Sequence, residues 1–208
     1  MKIGMNKATW MNGLLKRKEK YLDLLAEIIS KKSKNISIEC AKFISEEKII
    51  GWFQGGSEYG PRALGQRSIL CDARSPDMKD ILNKKVKNRE QWRPFATVIL
   101  REKLSEWFDL EEDSPFMLLD ANVLHDKADK IPSVIHVDGT SRIQTVTRDE
   151  LIKEFNKLTG VPLLLNTSFN LGGDPIVETP EDAIKTFLST KMDFLVIEDR
   201  IITKKRPE

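Results

Sequence analysis

MDFLVIEDRIITKK, residues 192–205, constrains the fold more than any other stretch of this chain. Two strand-like runs, 192–199 and 200–205, abut there. Parallel neighbours need a crossover of a dozen or more residues, so runs joined this closely exclude a purely parallel sheet. The same short, β-branched or aromatic signal recurs in IIGWFQG (49–55), RSILCDA (67–73), PFATVILRE (94–102), PFMLLDANV (115–123), RIQTVT (142–147) and VPLLLNTSFN (161–170). A further short strand is expected at Val134–Val137. Helical patterns lie between these runs. SPDMKDILNKKVK (75–87) offers Ser75 as N-cap, with Pro76 and Asp77 in the first turn. TRDELIKEFNKLTG (147–160) offers Thr147 as cap, with Glu150 three residues on as a capping box, and closes at Gly160. TPEDAIKTFLSTK (179–191) has Thr179 as cap and Pro180 at the first helical position. ISIECAKFISEEK (36–48) reads as a helix or a strand–helix pair, and KLSEWFDL (103–110) as a short helix or turn. The fold class is α/β, a mixed parallel and antiparallel sheet with flanking helices.

WMNGLLKRKEKYLDLLAEIISKK (10–32) has Leu14, Leu15, Tyr21, Leu22, Leu24, Leu25, Ile28 and Ile29 at helical spacing, with a basic opposite face. Residues 1–35 therefore read as a basic amphipathic arm that packs on the domain or on a partner, and 36–208 as the folded domain. No apolar run approaches the ~20 residues that span a bilayer, and MKIGMNKATWMNG lacks a signal-peptide core, so no membrane association is expected. Cys40 and Cys71 are the only cysteines, and neither has a CxxC or Cys/His neighbourhood. A disulfide framework or zinc site is not expected, and a reducing cytoplasm fits best. The net charge of +2 is uneven: residues 1–35 carry nine Lys/Arg against three Asp/Glu, the remainder 25 against 29. Within that acidic remainder, residues 60–101 hold ten Lys/Arg against four Asp/Glu. Such a local concentration points to an anion site, not to a surface that coats nucleic acid.

Four stretches carry the candidate chemistry. In GSEYGPRALGQRSIL (56–70), glycines permit positive φ and close approach of backbone N–H groups to a ligand. Arg62 and Arg67 can each grip a phosphate or carboxylate through two parallel hydrogen bonds. A surface turn whose arginines pair with local acids accounts for the same residues. No Gly-Lys-Ser/Thr comes after it, so the loop is not a Walker A loop. In NKKVKNREQWRPF (83–95), Lys84, Lys85, Lys87 and Arg89 close a helix, where the dipole alone favours cations. Arg93, between Trp92 and Pro94, calls for an anionic partner. In HVDGTSRIQTV (136–146), His136, Asp138, Thr140 and Arg142 alternate and would share one face of an extended chain. A lone histidine such as His136 is more often structural than catalytic, and Asp138-Gly139 reads equally as a simple turn. LLLNTSFN (163–170) ends a buried strand in Asn166, Thr167, Ser168 and Asn170, the usual ligand position in α/β proteins. Ser168 has no His/Asp relay and no GxSxG setting, so it reads as a hydrogen-bond donor and not as a nucleophile. These cations and neutral donors, without a His/Asp/Glu cluster to hold a metal, suit a phosphorylated, multiply charged substrate handled by positioning and electrostatics.

EYGPRALGQRSIL, DMKDILNKKVKNREQWRPFA, SPFML, IPSVIHVDGTSRIQTV and GVPLLLNTSFNLGGDPIVETPEDAI occur in that order. Together they resemble the C-terminal domain of the O-carbamoyltransferases, a family of nodulation-factor, cephem and aminoglycoside carbamoylating enzymes. The resemblance covers roughly residues 38 to 202. It implies a YrdC-like fold, a twisted mixed sheet with a basic concave face. It also implies activation of carbamoyl phosphate with ATP to carbamoyl-adenylate and pyrophosphate, with Mg2+ travelling on the nucleotide. By motif position, Lys87, Arg93 and Arg142 are the expected catalytic residues, and Arg62, Asn166 and Ser168 bind substrate or ATP. Arg67, His136, Asp138 and Thr140 are their expected companions. Full-length members carry a large N-terminal domain that binds a metal through histidines and passes the carbamoyl group to a hydroxyl. Only an arm of about 35 residues precedes the match here, so acceptor transfer is expected of a separate domain or subunit. Two alternatives stand beside this: a catalytically idle interaction subunit, and an RNA-binding module, a role also associated with YrdC-like folds. The acidic remainder speaks against broad RNA coating.

Overall fold

The structure is a computed structural model and describes residues 25–205. Its nine strands are β1 (Ile28–Lys32), β2 (Ile50–Phe53), β3 (Arg67–Cys71), β4 (Ala96–Leu100), β5 (Leu119–Asn122), β6 (Thr140–Val146), β7 (Leu163–Ser168), β8 (Phe194–Ile197) and β9 (Arg200–Lys204). They form one sheet in the order β1-β9-β8-β2-β3-β7-β4-β6-β5. β2 with β8 and β4 with β6 pair in parallel; every other neighbouring pair is antiparallel. The abutting runs at 192–205 are the β8–β9 hairpin, where Ile197 opposes Arg200 and Glu198 turns the chain at φ 52°.

Five helices lie wholly within the described residues: α1 (Ile36–Ser45), α2 (Met78–Leu82), α3 (Leu104–Trp107), α4 (Glu150–Thr159) and α5 (Pro180–Ser189). α1 packs on α4, and Phe43 of α1 stacks on Phe194 of β8 with centroids 4.1 Å apart. β3 and β4 are buried along their whole length, so the centre of the sheet is covered on both faces. Leu163, Leu164 and Leu165 of β7 are fully buried. Each contributes roughly 2 kcal/mol of apolar burial and makes this strand a rigid support for the polar residues at its C-terminal end. No described helix is long and apolar enough to cross a membrane.

The helix caps follow the sequence at α5, where Thr179 and Asp182 form a capping box, and at the end of α4, where Gly160 adopts φ 73°. Elsewhere the structure corrects the expectation. α4 is capped by Asp149, whose side chain accepts from Ile152 N at 2.9 Å, not by Thr147. Arg148 lies between them at φ 61°, outside helical conformation, so no helix can begin at Thr147. The 75–87 helix is α only over Met78–Leu82 and widens into a π-turn over Asn83–Lys87. Val134–Val137 is not a strand, because Pro132–Val134 forms a 3-10 turn and His136 N then donates to Thr140 O at 2.7 Å across the Asp138-Gly139 turn. Residues 28–32, placed by periodicity in a helix over 10–32, form edge strand β1 against β9. Only Ile28 of that strand is buried, so backbone pairing with a free sheet edge outweighs the amphipathic pattern. Residues 10–24 of that expected helix lie outside the described residues.

Candidate anion-binding site

The site grows from one register row of the sheet. Ala96 of β4 pairs with Arg142 of β6 on one side and with Asn166 of β7 on the other. Directly paired residues point to the same face. Ala96 is too small to fill the space between its neighbours, and a cavity of about 140 Å3 opens over it. Arg62, Arg89 and Arg142 line this cavity together with His136, Asn166 and Ser168, and among the described residues no carboxylate does.

Two buried amides dock the 61–65 loop onto the sheet. Asn166 Nδ2 donates to Ala63 O at 3.0 Å and to Gln144 Oε1 at 2.8 Å. Gln144 Nε2 in turn donates to Leu64 O at 2.9 Å. Arg62 is thereby held at the cavity mouth with its side chain exposed. Asn166 Oδ1 stays buried with no partner among the described residues. Arg67 takes a different place. It is 3% exposed and lies 3.5 Å from the Phe53 ring centroid. Its two terminal nitrogens donate to the carbonyls of Gln54, Gly55 and Gln66, its buried Nε has no partner among the described residues, and it does not line the cavity.

Lys87 sits at the inner end of the π-turn and is 2% exposed, while Lys84 and Lys85 face outward. π-turns insert one extra residue and re-aim the side chains beyond it. The Lys87 ammonium donates to Asn170 Oδ1 at 2.7 Å and to Ser168 Oγ and Asn170 O at 3.1 Å each, and it also contacts Ser168 O. Ser168 Oγ donates to Asn170 Oδ1 at 2.6 Å. None of these partners is a carboxylate. Burial, helped by the charge of Arg89, pulls the Lys87 amine down to about 7. Gly172 closes over this arrangement: its N–H donates to Lys87 O at 2.8 Å, and a Cβ there would overlap that carbonyl.

Asn83, fully buried, fixes the segment after the π-turn. Its Nδ2 donates to Gln91 O and Arg93 O at 3.1 Å each, and its Oδ1 accepts from Arg89 Nε at 2.7 Å. Arg89 stacks 4.7 Å from the Phe95 centroid and enters the cavity. Arg93 remains outside, exposed, with Nε 3.5 Å from Glu90 Oε2. Arg142 Nε lies 3.5 Å from Asp120 Oδ1 on β5, which orients the guanidinium from the sheet edge. His136 Nε2 is 3.4 Å from Phe95 O and its Nδ1 is 3.3 Å from Thr140 Oγ1. Thr140 Oγ1 donates to Asp138 Oδ1 at 2.7 Å, a bond that lowers the Asp138 carboxyl below its usual range. Asp138 and Thr140 do not line the cavity, because 136–139 is a turn and the expected common face does not form.

The structure thus brings Arg62, Arg142, His136, Asn166 and Ser168 together, with Lys87 directly behind Ser168. Arg89 and Asn170, which the sequence places in candidate stretches without a role, join them, as do Gln144 and Asn83, which it does not mark. Gln144 was findable, since it stands two residues from Arg142 on the same strand face. Among the described residues, no group of three or more His, Cys, Asp or Glu is placed to hold a metal ion.

The family model for the carbamoyltransferase C-terminus matches residues 41–204. The nodulation protein NolNO of Sinorhizobium fredii is 46% identical over 180 residues, covering 82% of this chain and 26% of that protein. NolO of Bradyrhizobium diazoefficiens is 44% identical over 185 residues, covering 85% of this chain and 34% of that protein. The chain therefore spans about a third or less of the length of these curated relatives. Among solved structures, HypF of T. kodakarensis superposes with a TM-score of 0.56 at 14% identity, covering 79% of this chain and 22% of that one. Full-length HypF in a phosphate- and nucleotide-bound form gives 0.52 at 17%, covering 86% and 22%. At such identities the likeness carries the fold alone, the YrdC-like mixed α/β sheet. With the motifs in order and four-fifths of its length matched, the chain belongs to the carbamoyltransferase C-terminal family.

Proposed function

We propose that this chain performs the carbamoyl-activating half of a carbamoyltransferase reaction, with ATP and carbamoyl phosphate as substrates. The observation that carries the reading is the cavity lined by Arg62, Arg89 and Arg142 and, among the described residues, by no carboxylate. Cations that face a cavity no carboxylate lines, with Arg142 alone of them paired among the described residues, outside it, to the exposed Asp120, are poised for polyanionic ligands. The phosphate- and nucleotide-bound form of HypF, which shares the fold, is consistent with this.

The chemistry balances with one water. Water releases inorganic phosphate from carbamoyl phosphate and leaves carbamate. A carbamate oxygen then attacks the α-phosphorus of ATP, and the bond to pyrophosphate breaks, giving carbamoyl-adenylate. Mg2+ arrives as part of the nucleotide substrate. Arg62, Arg89 and Arg142 stabilise the charge that accumulates on the phosphoryl oxygens without having to reorganise. Asn166 Oδ1 and Ser168 Oγ, whose donors are already engaged by Ala63, Gln144 and Asn170, accept from the carbamoyl NH2 and orient it. Lys87 fixes Ser168 and Asn170 and supplies a positive charge behind them. Arg93, held only by an exposed pair to Glu90, swings onto the bound anion at little cost. His136 completes the wall, and Asp138 and Thr140 hold its turn. Transfer to the final hydroxyl acceptor falls to a separate domain or subunit.

Pyrophosphate–ATP exchange by the purified chain, with Mg2+ and with or without carbamoyl phosphate, tests this. Exchange that depends on carbamoyl phosphate is the expected result. Binding of neither ATP nor carbamoyl phosphate would sink the reading and leave an idle interaction subunit.

A further inference from the structure

The loop that carries Arg62 is fastened by three carboxylates that the proposed chemistry does not use. Glu58 Oε1 accepts from three backbone N–H groups: Leu64 at 2.7 Å, Gln66 at 2.6 Å and Arg67 at 3.3 Å. Glu178 Oε2 accepts from Ser57 Oγ at 2.6 Å, and Glu198 Oε1 from Gly55 N at 2.8 Å. Gly60 and Gly65 adopt φ 107° and 104°, which lets the chain double back until three amides converge on one oxygen. Arg62 rides on the arc between Glu58 and Leu64, so the position of its guanidinium depends on that convergence. Three carboxylates beside an anion site would repel the ligand unless neutralised. Arg67 does this. It lies buried behind the loop, bonds the carbonyls of Gln54, Gly55 and Gln66 at both loop ends, and feels the charges of Glu178, Glu58 and Glu198.

We propose that Glu58 is the positioning residue of the anion loop: it holds Arg62 at the cavity mouth by gathering the amides of Leu64, Gln66 and Arg67, while Arg67 serves as counter-charge and not as a substrate ligand. The inference deepens the anion-binding reading given above and rests on it. A contrary use of the same geometry is a nest in which Glu58 occupies the place of a substrate phosphate, to be displaced by it. The two differ in sign.

The test uses the full chain with Glu58→Ala, Glu58→Gln and Glu58→Asp. Glu58→Gln keeps an acceptor oxygen at the same reach, whereas Glu58→Asp keeps the charge but is one methylene too short. Hydrogen exchange by NMR at the amides of Leu64, Gln66 and Arg67 reads the fastening directly. It is expected to accelerate about tenfold or more in Glu58→Ala and Glu58→Asp and to recover in Glu58→Gln. Titration with inorganic phosphate and with Mg2+–ATP is expected to show about tenfold weaker binding in Glu58→Ala, with recovery in Glu58→Gln. In pyrophosphate exchange, KM for ATP should rise while kcat stays within about threefold. Unchanged amide exchange in Glu58→Asp, or tighter phosphate binding in Glu58→Ala, overturns the proposal. Should Glu58→Ala fail to fold, Glu58→Asp against Glu58→Gln still decides it. Wild-type protein that binds neither phosphate nor ATP would refute the function instead, and the amide exchange would still judge Glu58.

Discussion

Segments 55–67 and 83–93 each bury one cation and present another to the same cavity, but they hold the buried one differently. In 55–67 the buried cation is Arg67, bonded to three carbonyls and surrounded by the charges of Glu178, Glu58 and Glu198. In 83–93 it is Lys87, bonded only to neutral oxygens of Ser168 and Asn170. A buried charge with its counter-charge at hand belongs to the scaffold. A buried charge without one stays costly until an anion arrives, and such groups cluster at functional sites. Arg67 is thereby assigned to stability and Lys87 to chemistry.

The sharpest way to break that assignment is to exchange the two losses. Lys87→Met is expected to reduce pyrophosphate exchange at least ~100-fold while shifting Tm by only a few degrees, since a desolvated charge is removed along with its bonds. Arg67→Met is expected to cost about 3–5 kcal/mol in denaturant unfolding, because it takes the guanidinium from the carbonyls of Gln54 and Gly55 and uncovers the neighbouring carboxylates. Equal stability losses in the two variants would end the distinction.

pH sharpens it next. Lys87 releases its proton at about 7 in the folded chain and near its ordinary value when unfolded. Below pH 7 both states are protonated, and the cost of burying the ammonium is fully present. As pH rises toward 10 the folded state is relieved of it while the unfolded state still binds the proton, so stability should rise across that window by up to a few kcal/mol. Urea midpoints at pH 7 and pH 9.5 check this, and the rise should vanish in Lys87→Met. Anion binding near pH 7 should also be accompanied by proton uptake, measurable by calorimetry in buffers of different ionisation heat.

Smaller effects are expected of the supports. Gly172→Ala is expected to destabilise by roughly 1–3 kcal/mol and to lower exchange activity, because the new methyl meets Lys87 O and displaces the π-turn. Thermal melts with activity assays on the same sample read both. Arg93→Ala should leave Tm unchanged, since an exposed pair to Glu90 contributes little, and should raise KM by about threefold to tenfold. A Tm loss as large as that of Arg67→Met would place Arg93 in the scaffold.

Much of the fold is legible along the chain. Strands of four to seven residues, the α5 capping box, the Gly160 stop and the abutting runs at 192–205 follow from local rules of pattern, caps and connection length. Where local rules failed, a competing contact intervened: a free sheet edge took residues 28–32 from the helix, and Pro132 with Asp138-Gly139 replaced a strand by turns. The site is legible in its chemistry but not in its division of labour. Clustered arginines with Asn166 and Ser168 point toward the proposed anion site from residue types alone. Nothing in spacing tells Arg62 from Arg67, or Arg89 from Arg93.

By itself the sequence determined the fold class, most of the strands and helices, the family and the cationic character of the candidate site, because these depend on neighbours a few residues apart. Only the tertiary structure decided which cations face the cavity, that Glu58 gathers the loop, and that Lys87 is buried without a carboxylate. The contrast between the two buried cations rests on groups contributed by Ser168, Asn170, Glu178 and Glu198, which lie some 80 to 130 residues from the cations they govern and whose influence depends on the low dielectric of a packed interior.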